Sequence, residues 1–364
     1  MTRGLALVAL ALAAALPAPA RAGGRVVLVP FENAARVPSA RDVVMPEVEA
    51  ALRRKGWEVV GGAAVQQFLR SRRIRYLDSI TTRHARELTG AMKADAVVLG
   101  AILVYGGPDA DFQVAMTARA MGREGELLWS DFASLSASDT EGAYGRGRVR
   151  DRATLARRVT AKLFHGALDE RPGGWTFGSF ERSPRVFRSR DYHGQSLTIC
   201  PLPLENVTED RLAPRVLDSL LQRQLSVRPG LIAIQPAELR ATLVARGLAV
   251  PSQLPPDRLR ELARALGNPL FLRGTILAYG ASPGAGGVVV EVHLLLVDLE
   301  TGRIVWSGLH RRTGQDYEGF LRFGAVTDPA TLADRVITEL LDAFTRPCFT
   351  VEEGCGKYSR ECCS

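Results

Sequence analysis

The chain has 364 residues, of which 46% are hydrophobic and 24% charged, and it carries a formal net charge of +8. The excess positive charge is almost entirely arginine, and acidic residues are interspersed along the chain. The positive charge could serve to bind an acidic polymer or a lipid surface. Arginine-rich composition is also typical of proteins from GC-rich genomes. The densest basic runs, at 70–75 and 146–152, carry no interleaved aromatic residues, so we exclude a nucleic-acid surface.

The N-terminus has the pattern of a secretory signal peptide, at residues 1–22. Arg3 precedes an apolar run of 12 residues, Leu5–Leu16, which is too short to span a bilayer. Prolines then break the run, and Ala20–Ala22 has the small-x-small form that signal peptidase accepts. No cysteine follows the run, and no later stretch is long and apolar enough to cross a membrane. We therefore expect a soluble exported protein, cleaved near Ala22 and located in the periplasm.

The mature chain begins with a segment in which strands and helices alternate. Val26–Val29 is a continuous apolar run, typical of a strand that is covered on both faces. Further strands are predicted at 57–60, 96–103, 112–119 and 127–129, and helices at 43–52, 64–69, 82–92 and 155–164. Because helices interleave with the early strands and an antiparallel hairpin follows them, we expect a mixed sheet with helices packed on it.

The second part of the chain has the same predicted order of elements. Strands are predicted at 197–200, 231–234, 269–277, 288–297 and 304–306, and helices at 212–225, from 236, from 256 and at 331–344. Residues 168–196, between the two parts, are rich in Gly, Pro, Arg and aromatic residues. We expect this linker to pack across both domains.

Five short sequences of the first part return in the second part in the same order. The pairs are Val29–Asn33 with Leu202–Asn206, Leu99–Gly106 with Arg273–Gly280, Gly125–Ser130 with Gly302–Ser307, Asp139–Gly142 with Asp316–Gly319, and Ala153–Ala156 with Ala330–Ala333. Their spacing changes only from 173 to 177 residues. The pattern predicts a tandem duplication in an α/β protein. Each copy, at 23–166 and 196–346, is a mixed β-sheet domain with packed helices and a C-terminal antiparallel hairpin. A linker at 167–195 joins the copies, and a Cys-rich tail follows at 347–364.

Cysteine usage fits an exported protein. Four cysteines lie in the short C-terminal tail: Cys348, Cys355, Cys362 and Cys363. They predict two disulfides, in which the adjacent Cys362 and Cys363 each pair with Cys348 or Cys355, because a bridge between neighbours would be strained. The connectivity stays open. A metal site is the alternative, but the tail has no Cys-x-x-Cys pair. Cys200 lies in a predicted strand and is expected to be a buried thiol.

Several residues occur at matched positions of the two copies. They are Glu32, Asn33, Gly100 and Trp129 in the first copy, and Glu205, Asn206, Gly274 and Trp306 in the second. The two glycines lie inside strands, where they indicate a bulge or a close approach of the backbone. The two tryptophans are expected to end hairpin strands and cap the core. The two glutamates follow a buried strand, so each could contact a ligand or cap the next helix.

The chain has no recognisable catalytic motif. Its five histidines share no repeated position and form no metal-binding pattern, and no nucleophile elbow or phosphate-binding loop with lysine is present. The Gly-rich segment 280–287 lacks lysine and joins two hairpin strands, which favours a flexible turn. We therefore predict no catalytic residues, no cofactor and no metal.

The repeated motifs resemble a domain of exported bacterial envelope proteins. Val29–Asn33, Ala94–Gly100 and Thr301–Ser307 are similar to motifs of the LpoB-like activators of penicillin-binding proteins, the CsgG-like curli secretion lipoproteins and the N-terminal domain of TolB. Weaker matches lie at Leu202–Asn206 and Gly125–Ser130, and the resemblance covers most of both copies. It implies α/β domains that bind other envelope proteins without catalysis. The lipid-attachment cysteine and the long hairpins of a secretion pore are missing, so neither an anchor nor a channel is expected.

The sequence thus predicts a non-catalytic periplasmic adaptor in envelope assembly or secretion. Its partners would be other envelope proteins, and a homo-oligomer is an open alternative. Exposed hairpin edges at 112–130 and 288–307 are the predicted partner surface, through strand addition. Two alternatives stay open: an envelope hydrolase or transferase that uses Glu32 or Glu205, and a ligand-binding sensor with its site between the domains, lined by Trp175 and Phe177.

Overall fold

A computed structural model describes most of the chain. The described residues are 24–74, 80–107, 111–140, 147–165, 184–188, 196–248, 254–267, 269–282, 287–317 and 325–345. The predicted signal peptide, most of the linker and the four tail cysteines lie outside these residues. No helix within the described ranges combines the length and the apolar character that a bilayer crossing requires.

The first half forms one mixed sheet. Its strands are β1 Arg25–Leu28, β2 Glu32–Asn33, β3 Glu58–Val60, β4 Ala96–Gly106, β5 Gln113–Gly122 and β6 Leu127–Ser136. Its helices are α1 Ala40–Arg54, α2 Ala63–Ser71, α3 Thr82–Met92 and α4 Arg152–His165. The strand order is β3-β1-β4-β5-β6, with β2 paired to β4. The β3-β1-β4 pairs are parallel and the β4-β5-β6 pairs antiparallel.

The second half repeats this arrangement. Its strands are β7 Arg185–Arg188, β8 Leu197–Pro201, β9 Glu205–Asn206, β10 Leu231–Ala233, β11 Leu270–Ser282, β12 Gly287–Asp298 and β13 Arg303–Thr313. Its helices are α5 Ala213–Ser226, α6 Pro236–Ala245, α7 Pro256–Ala265 and α8 Pro329–Thr345. The strand order β10-β8-β11-β12-β13-β7 matches the first sheet except for the added β7. The predicted α/β fold with two mixed-sheet domains is confirmed.

Each sheet is covered on its front face by the first and last helices of its own half. In the first half, apolar residues of α1 and α4 pack against alternate residues of β1, β4 and β5. On the opposite face, α2 and α3 cover only the part of the sheet around β1, where Val27 and Val97 are buried. In the second half, α5 and α8 take the front positions, and α6 and α7 cover the region around Cys200, which is buried as predicted.

The structure corrects three expectations about strands. Glu32–Asn33 and Glu205–Asn206 are short strands rather than loop residues, because each pair continues in parallel beside the long strand of its sheet. Trp129 and Trp306 lie near the beginning of β6 and β13, not at the end of a short strand, because both strands continue to pair along the whole hairpin.

The third correction concerns the predicted partner surface. In the hairpin at 288–307, β12 pairs on both sides, and β7 pairs antiparallel with β13 from Trp306 to Leu309, so this part of the edge is closed. In the 112–130 segment, β5 pairs on both sides, with β4 and β6. Strand addition is therefore wrong for the central strands β5 and β12. Within the described residues, β6 and the parts of β13 outside Trp306–Leu309 have no second strand beside them, and strand addition there stays a prediction. β7 is also the described part of the linker, and it pairs with the second sheet.

Candidate functional site

The back face of the first sheet, opposite α1 and α4, is covered by the second half. This first back face consists of Ala101, Leu103, Ala115, Thr117 and Phe132. Leu103 and Ala115 are buried in one cluster with apolar residues of α5 and α8, and Ala101 and Phe132 pack against that cluster. The interface between the halves thus continues the core of the second half onto the first sheet.

Side-chain contacts reinforce the interface between the halves. Arg223 Nη2 lies 2.8 Å from Asp131 Oδ1, and Arg119 Nη1 donates to Gln235 Oε1 at 2.7 Å. Further contacts join Thr82 with Glu238, Gln113 with Asp328, and Thr327 with Asp139. Because these pairs connect both ends of the interface, the two halves have one defined relative position.

A cleft of about 750 Å³ opens in this interface between the first back face, α5 and α6. Much of its wall is apolar, including Leu99, Leu202 and Leu239. Four arginines also line it: Arg119, Arg215, Arg223 and Arg240. An apolar wall with convergent cationic groups suits an amphipathic anion.

Two polar residues of α5 lie in the cleft four positions apart. Burial raises the pKa of Asp218 to about 7, against the opposing effect of the Leu204 N–H, which donates to Asp218 Oδ1 at 3.0 Å. The Gln222 amide nitrogen and oxygen are shielded from solvent and have no hydrogen-bond partner within the described residues. Buried polar atoms without partners are costly, so these groups mark the cleft as a candidate ligand site.

The corresponding back face of the second sheet is not covered by another part of the described chain. The strand pairing identifies the residues of the second sheet that match those of the first back face. This second back face consists of Thr275, Leu277, Glu291, His293 and Leu309. Leu277 is 41% exposed, whereas Leu103 at the matching position is 2% exposed. An apolar side chain at a repeated position is therefore buried between the halves in one sheet and open to solvent in the other.

The exposed surface extends to the neighbouring β7 strand. Phe187 pairs with Ser307 on β13 and is 48% exposed. His293 contacts the Ser307 hydroxyl through Nε2 at 3.1 Å. The second back face thus offers apolar side chains beside hydrogen-bonding groups, a mixture that is typical of protein-binding surfaces.

Two arginines border the second back face. Arg311 Nη1 lies 3.0 Å from Glu291 Oε2, and Arg273 Nη2 lies 3.7 Å from Glu205 Oε1. A guanidinium has five N–H donors, so each arginine can bind a second carboxylate while it keeps the first.

The structure separates the two glutamates that the sequence nominated. Glu32 lines the cleft, with Oε1 3.9 Å from Arg215 Nη1, whereas Glu205 lies beside Arg273 on the open side of the second sheet. The neighbouring asparagines have matching roles, because Asn33 and Asn206 each donate to a backbone carbonyl four residues later, at 2.7 and 2.8 Å.

The repeated glycines and tryptophans occupy packing positions. A Cβ at Gly100 would lie 2.5 Å from the Phe31 ring, and one at Gly274 would lie 2.6 Å from Leu294 Cδ2. The Trp129 ring packs at a tilt against Phe164 of α4, and the Trp306 ring against Phe344 of α8, with ring centroids 5.5 and 5.3 Å apart. These residues join each sheet to its closing helix.

A polar cluster on the front face of the second sheet was missed by the sequence reasoning. Glu339 of α8 accepts hydrogen bonds from Arg312 Nε and Tyr317 Oη, both at 2.8 Å, and contacts His310 Nε2. Burial opposes ionisation, but these three donors lower the pKa of Glu339 to about 2. These residues come from β13, from the turn after it and from α8, so no local sequence pattern joins them.

Groups of histidine, cysteine and carboxylate side chains suited to a metal ion do not occur within the described ranges. The tail cysteines, His193, Trp175 and Phe177 lie outside those ranges. The predicted disulfides and the aromatic lining of an inter-domain site therefore stay predictions, as does a hydrolase site in which His193 would face Glu205.

The chain matches no protein-family model and no curated protein. Among solved structures it is similar to the PelC dodecamer from Paraburkholderia phytofirmans, at 20% identity over 44% of this chain and 94% of that chain, with a TM-score of 0.30. It is also similar to lipoprotein GNA1162 from Neisseria meningitidis, at 20% identity over 39% of this chain and 97% of that chain (TM-score 0.28). The LpoB C-terminal domain from Escherichia coli matches at 17% identity over 32% of this chain and 82% of that chain (TM-score 0.27).

Proposed function

We propose that the chain is a non-catalytic periplasmic adaptor that binds other proteins in cell-envelope assembly or secretion. The observation that carries the proposal is the second back face, where Leu277 is exposed although Leu103, at the matching position of the first sheet, is buried. A contiguous surface of apolar and hydrogen-bonding side chains marks an interaction site. The envelope location rests on the predicted signal peptide and on the resemblance of the repeated motifs.

The proposed binding role is also supported by the surroundings of the nominated carboxylates. Glu32 and Glu205 each lie beside an arginine, in arrangements typical of structural ion pairs. A hydrolase would require a second group that accepts or donates a proton at the same place. Arginine is a poor choice for that role because it does not lose its proton in proteins.

Site-specific photo-crosslinking in the periplasm tests the proposal. A photoreactive amino acid replaces Leu277 in one variant and Ile232 in a matched control, an exposed apolar residue on the far edge strand β10. The Leu277 variant is expected to give a discrete crosslinked protein band, and the Ile232 variant none. Equal crosslinking from both positions, or none from either, would contradict a binding role for the second back face.

The cleft between the halves supports a second candidate function, a sensor of amphipathic anions. The specific observation is the unpartnered Gln222 amide beside a cationic, partly apolar wall. Titration calorimetry with dodecanoate is expected to show saturable binding that Leu239→Trp abolishes by filling the cleft. Ile232→Trp, outside the cleft, serves as the control. Heat that does not saturate, or binding unchanged by Leu239→Trp, would remove this candidate.

A further inference from the structure

The cleft between the halves contains a polar group that a simple carboxylate would satisfy only in part. The Gln222 amide has a donor, Nε2, and an acceptor, Oε1, and neither has a hydrogen-bond partner within the described residues. A carboxylate has acceptors only, so it can accept from Nε2 but leaves Oε1 unpaired. A ligand that pairs with the whole amide must therefore present a donor and an acceptor on the same side.

An amino acid whose nitrogen is acylated has this arrangement. In an extended residue the N–H and the C=O point to the same side, which is why paired residues of antiparallel strands exchange two hydrogen bonds. In an N-acyl amino acid the N–H is the donor, and a carboxylate oxygen takes the place of the C=O. Acylation also removes the charge of the amino group, whose desolvation beside an apolar wall would be costly.

The Gln222 side chain can turn into the cleft without losing a hydrogen bond. Its amide atoms are shielded from solvent, but the residue as a whole is half-buried and lines the cleft. The turn breaks no hydrogen bond of the amide to the described part of the chain. The backbone that carries it is held in place, because Leu217, Leu220 and Leu221 of α5 are buried in the core. The helix thus provides a fixed base for a group that gains hydrogen bonds when a ligand binds.

The α6 helix supplies an apolar surface for the acyl chain. Leu239, Leu243 and Val244 line the cleft at helical spacing, so they lie on one side of the helix. Leu239 is buried, whereas Val244 is 75% exposed. A ligand that covers an exposed apolar side chain gains free energy by removing it from water. The three residues therefore form an apolar surface that continues from the wall of the cleft to solvent.

Two of the cleft arginines already compensate acidic residues of the interface. Glu32 lies 3.9 Å from Arg215 Nη1, and the carboxylates of Asp131 and Asp334 lie 2.8 and 3.1 Å from Arg223. These two arginines and their acidic partners roughly balance one another. The carboxylate of a ligand therefore depends on the other cationic groups of the wall.

Arg119 and Arg240 are these other cationic groups, and they line the cleft from β5 and from α6. A guanidinium has five N–H donors, so each can bind a ligand carboxylate in addition to its present partners. Asp218 is a further acidic residue of the wall, and burial raises its pKa to about 7. Below that pH it is mostly neutral and does not repel a carboxylate.

We propose that the cleft binds an N-acyl amino acid, with the ligand N–H donating to Gln222 Oε1, Gln222 Nε2 donating to the ligand carboxylate, and the acyl chain along α6. This proposal rests on the second candidate function, because it names the ligand class of the same cleft. It does not depend on the second back face or on the adaptor role.

Titration calorimetry with a matched pair of ligands tests this proposal on the full-length protein at pH 6. N-octanoylglycine and undecanoate have the same number of chain atoms and the same carboxylate, but only N-octanoylglycine has an N–H. A purely apolar cleft would prefer undecanoate, whose chain is the more apolar. Pairing with the Gln222 amide reverses this order, so N-octanoylglycine is expected to bind about tenfold more tightly.

A pair of glutamine variants assigns the preference to the amide. Gln222→Leu should abolish it, because leucine offers no acceptor to the ligand N–H. Gln66→Leu, on the exposed surface of α2 and outside the cleft, is the matched control and should keep the preference. Circular dichroism checks that both variants are folded. Undecanoate that binds the unmodified protein as tightly as N-octanoylglycine, or a preference that survives Gln222→Leu, would overturn the proposal.

A third ligand tests the carboxylate. N-octanoylglycinamide keeps the N–H and a C=O but has no charge, and it is expected to bind about tenfold more weakly than N-octanoylglycine. Equal affinity would overturn the proposal and indicate an extended peptide as the ligand.

The outcome also distinguishes this proposal from the second candidate function. Saturable binding of both carboxylates, with undecanoate the tighter ligand, overturns the N-acyl amino acid and keeps the sensor of amphipathic anions. A protein that binds neither carboxylate in a saturable way overturns both.

Discussion

The two halves of the chain share one strand order but differ in what covers the back face of the sheet. In the first sheet the back face has small and apolar residues, such as Ala101, Leu103 and Ala115, and it is buried under α5. In the second sheet the matching positions are Thr275, Leu277 and Glu291, and they stay partly or largely exposed. The comparison indicates that the same face is packed inside the chain in one half and left partly open in the other, where we propose that a partner binds.

The largest expected loss of stability comes from shortening a leucine at the repeated position that is buried in one half and exposed in the other. Leu103→Ala removes a buried side chain from the interface between the halves and should lower the free energy of unfolding by about 3 kcal/mol. Leu277→Ala should lower it by about 0.5 kcal/mol or less in dilute solution, because the side chain is exposed. Urea unfolding of both variants measures the difference. Equal losses would mean that the two back faces do not differ in packing.

A second prediction uses the polar cluster around Glu339 in the second half. Glu339→Gln should lower the free energy of unfolding by about 2 kcal/mol at neutral pH, because Arg312 loses its carboxylate partner. The low pKa of Glu339, about 2, means that its ionised form stabilises the folded state at neutral pH. This contribution is lost as pH falls from about 4.5 to 2, so the variant should be less sensitive to acid there.

Lys162 occupies the matching position on α4 and supplies the control. Lys162→Gln should change stability by about 0.5 kcal/mol or less, because its side chain makes one hydrogen bond, to Ser134 O at 3.2 Å. Urea unfolding between pH 2 and 7 measures both variants. An unchanged acid response in Glu339→Gln would show that the cluster is not coupled to folding.

A third prediction concerns another matched pair. The Phe31 N–H points to Met45 Sδ at 3.2 Å, whereas the matching Leu204 N–H donates to the Asp218 carboxylate at 3.0 Å. The pKa of Asp218, raised to about 7, makes the folded state bind a proton that the unfolded state releases. Stability should therefore fall as pH rises from about 4 to 7, with a slope of up to about 1.4 kcal/mol per pH unit.

Asp218→Met, which copies the first half, should remove this decline, whereas Asp257→Asn on the exposed surface of α7 should keep it. Thermal unfolding between pH 4 and 8 measures the slopes. A decline that persists in Asp218→Met would assign the pH response to another group.

Local patterns predicted most of the elements of both halves. The helix predicted at 82–92 has the same bounds in the structure, where Thr81 caps it by accepting from the His84 N–H. The buried strand predicted at 26–29 lies at Arg25–Leu28 in the structure, and the signal for it was the continuous apolar run that a strand covered on both faces needs. Such features depend on residues close together in the chain.

The candidate site could not be predicted in this way because it depends on contacts between distant segments. Nothing in the pattern around Leu103 and Leu277 distinguishes a covered position from an open one, since both lie in apolar strand sequences. The position of α5 on the first sheet decides the difference. The added strand β7 was missed for the same reason, because it pairs with β13 across more than a hundred residues of sequence.

Thiol labelling at the two matched leucines tests the central claim most directly. Leu277→Cys and Leu103→Cys are each exposed to a maleimide in living cells and again after purification and dilution. Leu277→Cys should be protected in cells, where a partner covers the second back face, and reactive after dilution. Leu103→Cys should be unreactive in both states. Rapid labelling of Leu277→Cys in cells, at the rate seen in the diluted protein, would contradict the account.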